Sequence, residues 1–346
     1  MIRHTARRNA VICFAVALAV LVAACSSSSA GSTAGSASGK QSYKVFFLPK
    51  IVGVPVFSAN ETGAKEAAAA LGDTLTFNGP TSASATLQAP FLTSAIAQGD
   101  KAIVYDPNDP NALTPILQNA LHKGIKIVTY DSDVTNASLR SIYIGPPAGD
   151  VVADDLLNIV GAQIGYKGAF AIMSATPEDP TANVWDKAIE VALTTPKYAG
   201  MKLIKTVYGN NSAATSVQQT QALLLAYPQL KAIISTAGNS TASVAQVVQS
   251  QKKCSSVAVT GLATPSSMRS YVTEGCVKAV ALWNEIDFGY LAMYAAHLVL
   301  TGVLKGTPGE TFMAGRLGKE TVGANGVVSL STITNFTKEN ITSFNY

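Results

Sequence analysis

KAIVYDPNDPNALTPILQNALHKGIKIVTYDSD, residues 101–133, decides the fold. KAIVYD and KIVTYD are short apolar runs rich in β-branched and aromatic residues, each ending in an aspartate. NALTPILQNALHKG between them reads as a helix that stops at a glycine. Strands linked through a helix run parallel, and strands this apolar are covered on both faces. The aspartates then lie at the carboxyl ends of the strands, where open parallel sheets bind their ligands.

The same alternation extends outward. Upstream lie the strands YKVFFL and TLTF and the helices ETGAKEAAAALG and TLQAPFLTSAIAQG; IYIG follows downstream. A second series holds the strands GAFAIMSA, KLIKTVYG, KAIIST, VAVTG and VKAVALW. TANVWDKAIEVAL, SVQQTQALLLAY, TASVAQVVQSQ and SSMRSYVTEG lie between them. Two such series in 346 residues predict an α/β protein of two doubly wound parallel-sheet domains whose strand ends face one cleft.

The residues at those ends are the candidate ligand contacts. FLPKIVGVPVF (47–57) places Lys50 and Phe57 after the first strand. Pro49 cannot donate to a sheet ladder, so Lys50 leaves the core at the sheet edge. Asp106 and Asp131 end the third and fourth strands. The second series offers Asn183 and Trp185, then Thr264, then Trp283 and Asn284. Carboxylates accept hydroxyl protons, amides donate and accept, and aromatic faces cover C–H surfaces, which suits a small neutral polyhydroxylated molecule. Asp109, Asp133, Asp179 and Asn239 serve equally well as caps and turn residues, and Trp185 as packing.

Composition narrows the function. The formal charge is +4, and Arg3, Arg7 and Arg8 supply most of the excess, so no basic tract points to nucleic acid. His4, His122 and His297 are the only histidines; HExxH, paired CxxC, GxSxG and complete P-loop motifs are missing, so no enzyme, metal or cofactor is expected.

MIRHTARR followed by AVICFAVALAVLVAA reads as a secretory signal, and VAAC with the run SSSSAGSTAGSASG resembles a bacterial lipobox. That resemblance implies cleavage before Cys25, acylation of Cys25 with palmitate-type chains, and a flexible tether holding the protein to the outer face of the cell membrane. A plain signal peptide or an uncleaved anchor is the alternative. Cys254 and Cys276 each precede an apolar strand in an oxidising compartment, so they form a disulfide or two buried thiols.

FLPKIVGVPVF, FNGPT, TYDSD with Arg140 and IYIG, KAII, GLATPSSMRSYVTEG and VKAVALW together resemble periplasmic sugar-binding proteins of the ribose-binding type. More narrowly they resemble the subgroup of the rhamnose-binding protein and the autoinducer-2 receptor, from about Tyr43 to Tyr346, with PK-VGV and TYDSD the most specific pieces. The resemblance implies two lobes joined by a three-strand hinge. A signal peptide over 1–24 and a lipidated tether over 25–42 precede an N-terminal lobe of 43–146 plus about 285–323 and a C-terminal lobe of about 147–284 plus 324–346. It also implies a monomer that delivers a sugar or sugar alcohol to an ABC permease and its ATPase, or that feeds a signalling protein instead. The family's ligand-contacting lysine maps onto Lys50 and its aspartate onto Asp131. Thr181, Ala182, Thr236 and Gly238 depart from the autoinducer-2 pattern, so a pentose, a deoxyhexose, a tetritol or a pentitol is the expected ligand.

Overall fold

The computed structural model describes residues 41–330 and 332–346. The signal segment, Cys25 and the tether through residue 40 lie outside the described residues.

The first lobe opens with β1 (Lys44–Leu48), α1 (Pro55–Leu71), β2 (Thr74–Phe77), α2 (Ala85–Gln98), β3 (Ala102–Tyr105), α3 (Thr114–His122), β4 (Lys126–Tyr130) and β5 (Ile142–Gly145). The chain then builds the second lobe from α4 (Gly149–Ile164), β6 (Gly168–Ser174), α5 (Pro180–Ala192), β7 (Met201–Tyr208), α6 (Ala213–Ala226) and β8 (Ala232–Ser235). It continues through α7 (Thr241–Ser250), β9 (Ala258–Gly261), α8 (Pro265–Thr273) and β10 (Ala279–Leu282). Helix α9 (Glu285–Leu300) returns to the first lobe, followed by β11 (Thr311–Met313), β12 (Lys319–Thr321), β13 (Val327–Ser329) and β14 (Thr334–Thr337).

The first sheet runs β13-β5-β4-β3-β1-β2 and is parallel throughout. The second runs β7-β6-β8-β9, also parallel, and a parallel bridge between Leu262 and Ala281 carries it on to β10. Strand β14 pairs antiparallel with β10, and β11 with β12. The central strands β3 and β8 are buried at every position, whereas edge strand β2 alternates, as a two-faced cover of helices requires. Helices α1 and α2 end at Gly72 and Gly99, both in the left-handed region. The expected doubly wound α/β architecture is therefore present in both lobes.

One boundary falls later than the sequence suggested. The return to the second lobe was expected at residue 324, but β13 still pairs with β5 through Val327–Tyr143 and Val328–Ile144, so the third crossover follows Ser329. GVVSL is too short to declare its partner, and only the sheet edge beside β5 settles it. Near the base of the second lobe, Cys254 and Cys276 are bonded, with Cα atoms 4.8 Å apart.

In both sheets the strand order reverses beside the first strand, between β1 and β3 and again between β6 and β8. Loops leaving the two strands at such a point diverge to opposite faces and leave a crevice. Lys50 and Asp106 stand at the first reversal; Asp179, Thr236 and Asn239 stand at the second. The crossovers bring the two crevices face to face.

Helices α1 and α9 cross at two glycines. A Cβ on Gly63 would lie 1.7 Å from the Ile286 carbonyl oxygen, and one on Gly289 would lie 2.0 Å from that of Asn60. This backbone contact fixes where α9, and the crossover that begins it, meets the first lobe.

Candidate functional site between the lobes

Lys50 is 4% exposed, and its ammonium is ringed by carboxylates. Nζ lies 2.9 Å from Asp179 Oδ2, 3.1 Å from Asp131 Oδ2 and 3.8 Å from Asp106 Oδ1. Burial alone would depress this ammonium, but Asp106, Asp131 and Asp179 outweigh it and hold the group well above the ordinary lysine value. Burial, reinforced by Asp131 and Asp179, pushes the Asp106 carboxyl up against the opposing Lys50 charge.

The scaffold behind Lys50 is made of buried amides. Gln88, on α2, donates to the carbonyls of Pro49 (3.1 Å) and Asp106 (2.7 Å) and accepts from the Asn108 N–H (3.0 Å). Asn108 in turn donates to the Lys50 carbonyl at 2.9 Å. These bonds tie the loop after β1 to the loop after β3, so the lysine's exit is fixed on both sides. Asp131 is held in a left-handed conformation, φ 57°, which costs a non-glycine residue energy and is characteristic of functional turns. Its carbonyl accepts from Tyr143 Oη (2.6 Å) and Thr181 Oγ1 (2.9 Å).

The contacts of Asp179 and Thr181 cross from one lobe to the other. Asp179 caps α5 by accepting the Thr181 and Ala182 amides at 3.1 and 2.9 Å, and the same carboxylate reaches Lys50. The cap and the binding readings of Asp179 are thus both present in one side chain. Thr181 adds the Asp131 bond and a hydroxyl contact with Ser132. The two lobes are closed on one another.

Between them lies a small cavity that opens to solvent. Lys50, Phe57 and Asp131 line it from the first lobe, Asp179, Trp185 and Asn239 from the second, and Trp283 and Glu285 from the crossover into α9. The Trp185 and Trp283 rings sit 5.6 Å apart at 50° and form one wall. Among the described residues, Oδ1 of Asn239 is buried without a hydrogen-bond partner, and the indole N–H of Trp283 has only the Glu285 carboxyl near it. An unpartnered buried atom is costly in a folded interior unless something else meets it. The cavity thus offers carboxylate and amide acceptors, an indole donor, an ammonium and flat apolar walls, which is how hydroxyl-rich molecules are gripped.

Of the residues singled out in the sequence, Lys50, Phe57, Asp131, Trp185 and Trp283 meet at this cavity. Asp106 stands behind Lys50, fully buried, accepting the Ser132 N–H, so it shapes the ammonium's surroundings without lining the space. Asn183 is exposed and donates to the Pro177 carbonyl. It shares α5 with Ala182 and Trp185, but one residue's rotation, about 100°, turns it off the face they present. Thr264 precedes α8 and bonds the hydroxyls of Ser266 and Ser267, away from the cavity. Asn284 caps α9, accepting from the Ile286 and Asp287 amides, and faces outward. Asp109 caps a turn, as its structural reading has it, whereas Asp133 is paired with Arg140 at 2.7 Å.

Sequence reasoning missed Glu285, Gln88 and Asn108. Glu285 follows the Trp-Asn pair directly, and an acid placed just after a strand-end tryptophan was a usable signal. Gln88 and Asn108 act through backbone carbonyls, which leave no mark in side-chain chemistry. Among the described residues no His/Cys/Asp/Glu cluster could hold a metal, and no helix is long and apolar enough to cross a membrane.

A two-lobed, doubly wound molecule closed over a polar, aromatic-walled cavity is a binding protein in architecture. Residues 45–303 match the model of the periplasmic binding protein domain, and the chain belongs to that family, of the ribose-binding type that its sequence resembles. The family is one of extracytoplasmic binding proteins, not of enzymes. Among solved structures, the chain is 35% identical to a sugar ABC transporter protein from Actinomyces odontolyticus, covering 88% of this chain and 100% of that one, with a TM-score of 0.71. It is 28% identical to an ABC transporter solute-binding protein from Clostridium phytofermentas with bound L-rhamnose, over 88% and 98% of the two chains, TM-score 0.83. LsrB from Clostridium saccharobutylicum, in complex with AI-2, shares the fold at 22% identity over 88% and 100%, TM-score 0.82.

Proposed function

We propose that this protein is the extracytoplasmic solute-binding lipoprotein of an ABC importer, and that its cavity takes a small neutral polyhydroxylated molecule for delivery to the permease. A pentose, a deoxyhexose, a tetritol or a pentitol fits the chemistry of its lining. The carrying observation is the pairing of the Trp185–Trp283 wall with the Lys50–Asp131–Asp179 cluster across one cavity. The rhamnose complex of a relative 28% identical supports a sugar as the cargo. The departures at Thr181, Ala182, Thr236 and Gly238 weigh against autoinducer-2. Thr181 here bonds the Asp131 backbone, and Thr236 turns its hydroxyl to Asp186 at 2.7 Å.

A thermal-shift screen of pentoses, deoxyhexoses, tetritols, pentitols, inositols and autoinducer-2 tests this. A true ligand at 100 times its Kd adds about 2.7 kcal/mol to stability and raises the melt visibly. A flat screen sinks the polyol reading. For the anchor, Cys25→Ser is expected to move the protein from the membrane fraction to the soluble one; continued membrane attachment would indicate an uncleaved signal.

A further inference from the structure

Glu285 is 2% exposed and lines the cavity at the first turn of α9. Asp131 and Asp179 share the Lys50 ammonium, but among the described residues no cation pairs with Glu285. Its Oε2 accepts the Asn60 amide at 2.7 Å, and the same amide donates to the Glu285 carbonyl at 2.9 Å. Asn60 is held there by the glycine crossing of α1 and α9, so one edge of the carboxyl is fixed and the group is presented to the cavity.

Asp131 and Tyr130 face Glu285 from the end of β4, Trp283 from the crossover and Tyr346 from the C-terminus. Lys50 and Asp179 share its cavity. Among the described residues, its charged neighbours are acidic or already neutralised. Burial first, and then the Asp131 charge, push the Glu285 acid well above its ordinary value, against the opposing hydrogen bonds from Asn60 and the Trp283 indole. A carboxylate buried without a partner is unfavourable enough that such groups hold their proton instead.

The cavity is also short of donors. Asp131 and Asp179 accept and the Lys50 protons are directed at them, so the donors left to a guest are the Trp283 N–H and the side-chain amides of Asn211 and Asn239. A hydroxyl brings one proton and two lone pairs, so a polyhydroxylated guest needs donors from the wall. We propose that Glu285 meets the ligand as an uncharged carboxylic acid that donates its proton to a ligand oxygen beside Trp283. It is thereby a specificity-determining residue that ties binding to pH. This rests on the reading of the cavity as a site for a neutral polyhydroxylated molecule.

The test measures Kd for L-rhamnose, D-arabinose, xylitol and erythritol at pH 6 and pH 9 with the wild-type protein and with Glu285→Gln, which keeps a donor but cannot ionise. Above the acid's own pKa, wild-type affinity falls about tenfold per pH unit, while the Gln variant, although weaker, holds its Kd steady between the two values. Lys50, held above its ordinary value, keeps its charge throughout this range. An infrared difference spectrum at pH 7 is expected to show a protonated carboxyl C=O band that the variant lacks. A panel in which nothing binds the wild type overturns the polyol reading, and this inference with it. A binder whose affinity changes equally with pH in both proteins, or a difference spectrum without the band, overturns this inference alone.

Discussion

Lys50 is the residue whose placement explains the most. A lysine between Pro49 and Ile51 looks misplaced in an apolar run until three carboxylates from two lobes surround it. Its exit at a strand end was legible in the sequence, because proline ends ladder pairing there. Asp179 was legible as a cap or a site residue but not as the lysine's partner, because a cross-lobe contact leaves no local pattern. Asp131 carries the strongest single-site prediction. Asn tolerates the left-handed backbone, so Asp131→Asn removes the charge without disturbing the turn. Loss of one charged hydrogen bond to a ligand costs roughly 1.5–3 kcal/mol, about 10- to 150-fold in Kd. Calorimetric titration with whichever sugar the melt screen selects is expected to show that loss with an unchanged circular dichroism spectrum. Equal affinity in the two proteins would remove Asp131 from the site.

At the level of elements, all ten strands of the two repeating series were readable as short apolar runs. Burial on both faces strips such strands of polar residues, and glycines end several helices between them. Helix α4 and strands β11 to β14 were not read. Strand β13 joins an edge where pairing depends on a neighbour formed nearly two hundred residues earlier in the chain. The phase of a helix face was equally hidden, which is why Asn183 was grouped with Trp185 although they point apart. The α1–α9 crossing sets the frame for Asn60 and Glu285. Gly289→Ala forces a methyl against the Asn60 carbonyl. Overpacking typically costs 1–3 kcal/mol, and rigid backbone on both sides argues for about the upper end or beyond. A denaturant melt showing a midpoint equal to wild type would mean the crossing yields more easily than its geometry implies.

The molecule as a whole holds its two lobes together through Lys50–Asp179, Thr181–Asp131 and the Thr181–Ser132 hydroxyls. The first of these is a titratable bond. Lys50 has a folded value raised above 10.5. Its stabilising contribution is therefore complete below that unfolded value and is lost as pH rises through the folded one. The melting temperature is expected to fall steeply above about pH 10.5, and Lys50→Met is expected to blunt that fall while lowering stability at neutral pH. If the two alkaline profiles run parallel, the ammonium is not what ties closure to pH.

One feature of this frame reaches beyond binding. The chain has two tryptophans, and both stand in the cavity wall, 5.6 Å apart. The pair continues inward through Phe288, Tyr130 and Phe47 at centroid steps of 6.1, 5.9 and 4.6 Å, so aromatic contact runs unbroken from the cleft into the core of the first lobe. Indole light emission from this protein therefore originates in one place. Two indoles this close also couple their excited states, and the sign and size of that coupling depend on the angle between the rings. The protein carries a built-in optical gauge of its own cleft. Its near-ultraviolet dichroism reads the 50° tilt of one lobe's tryptophan against the crossover's, and any motion that separates the lobes has a colourless, label-free signature.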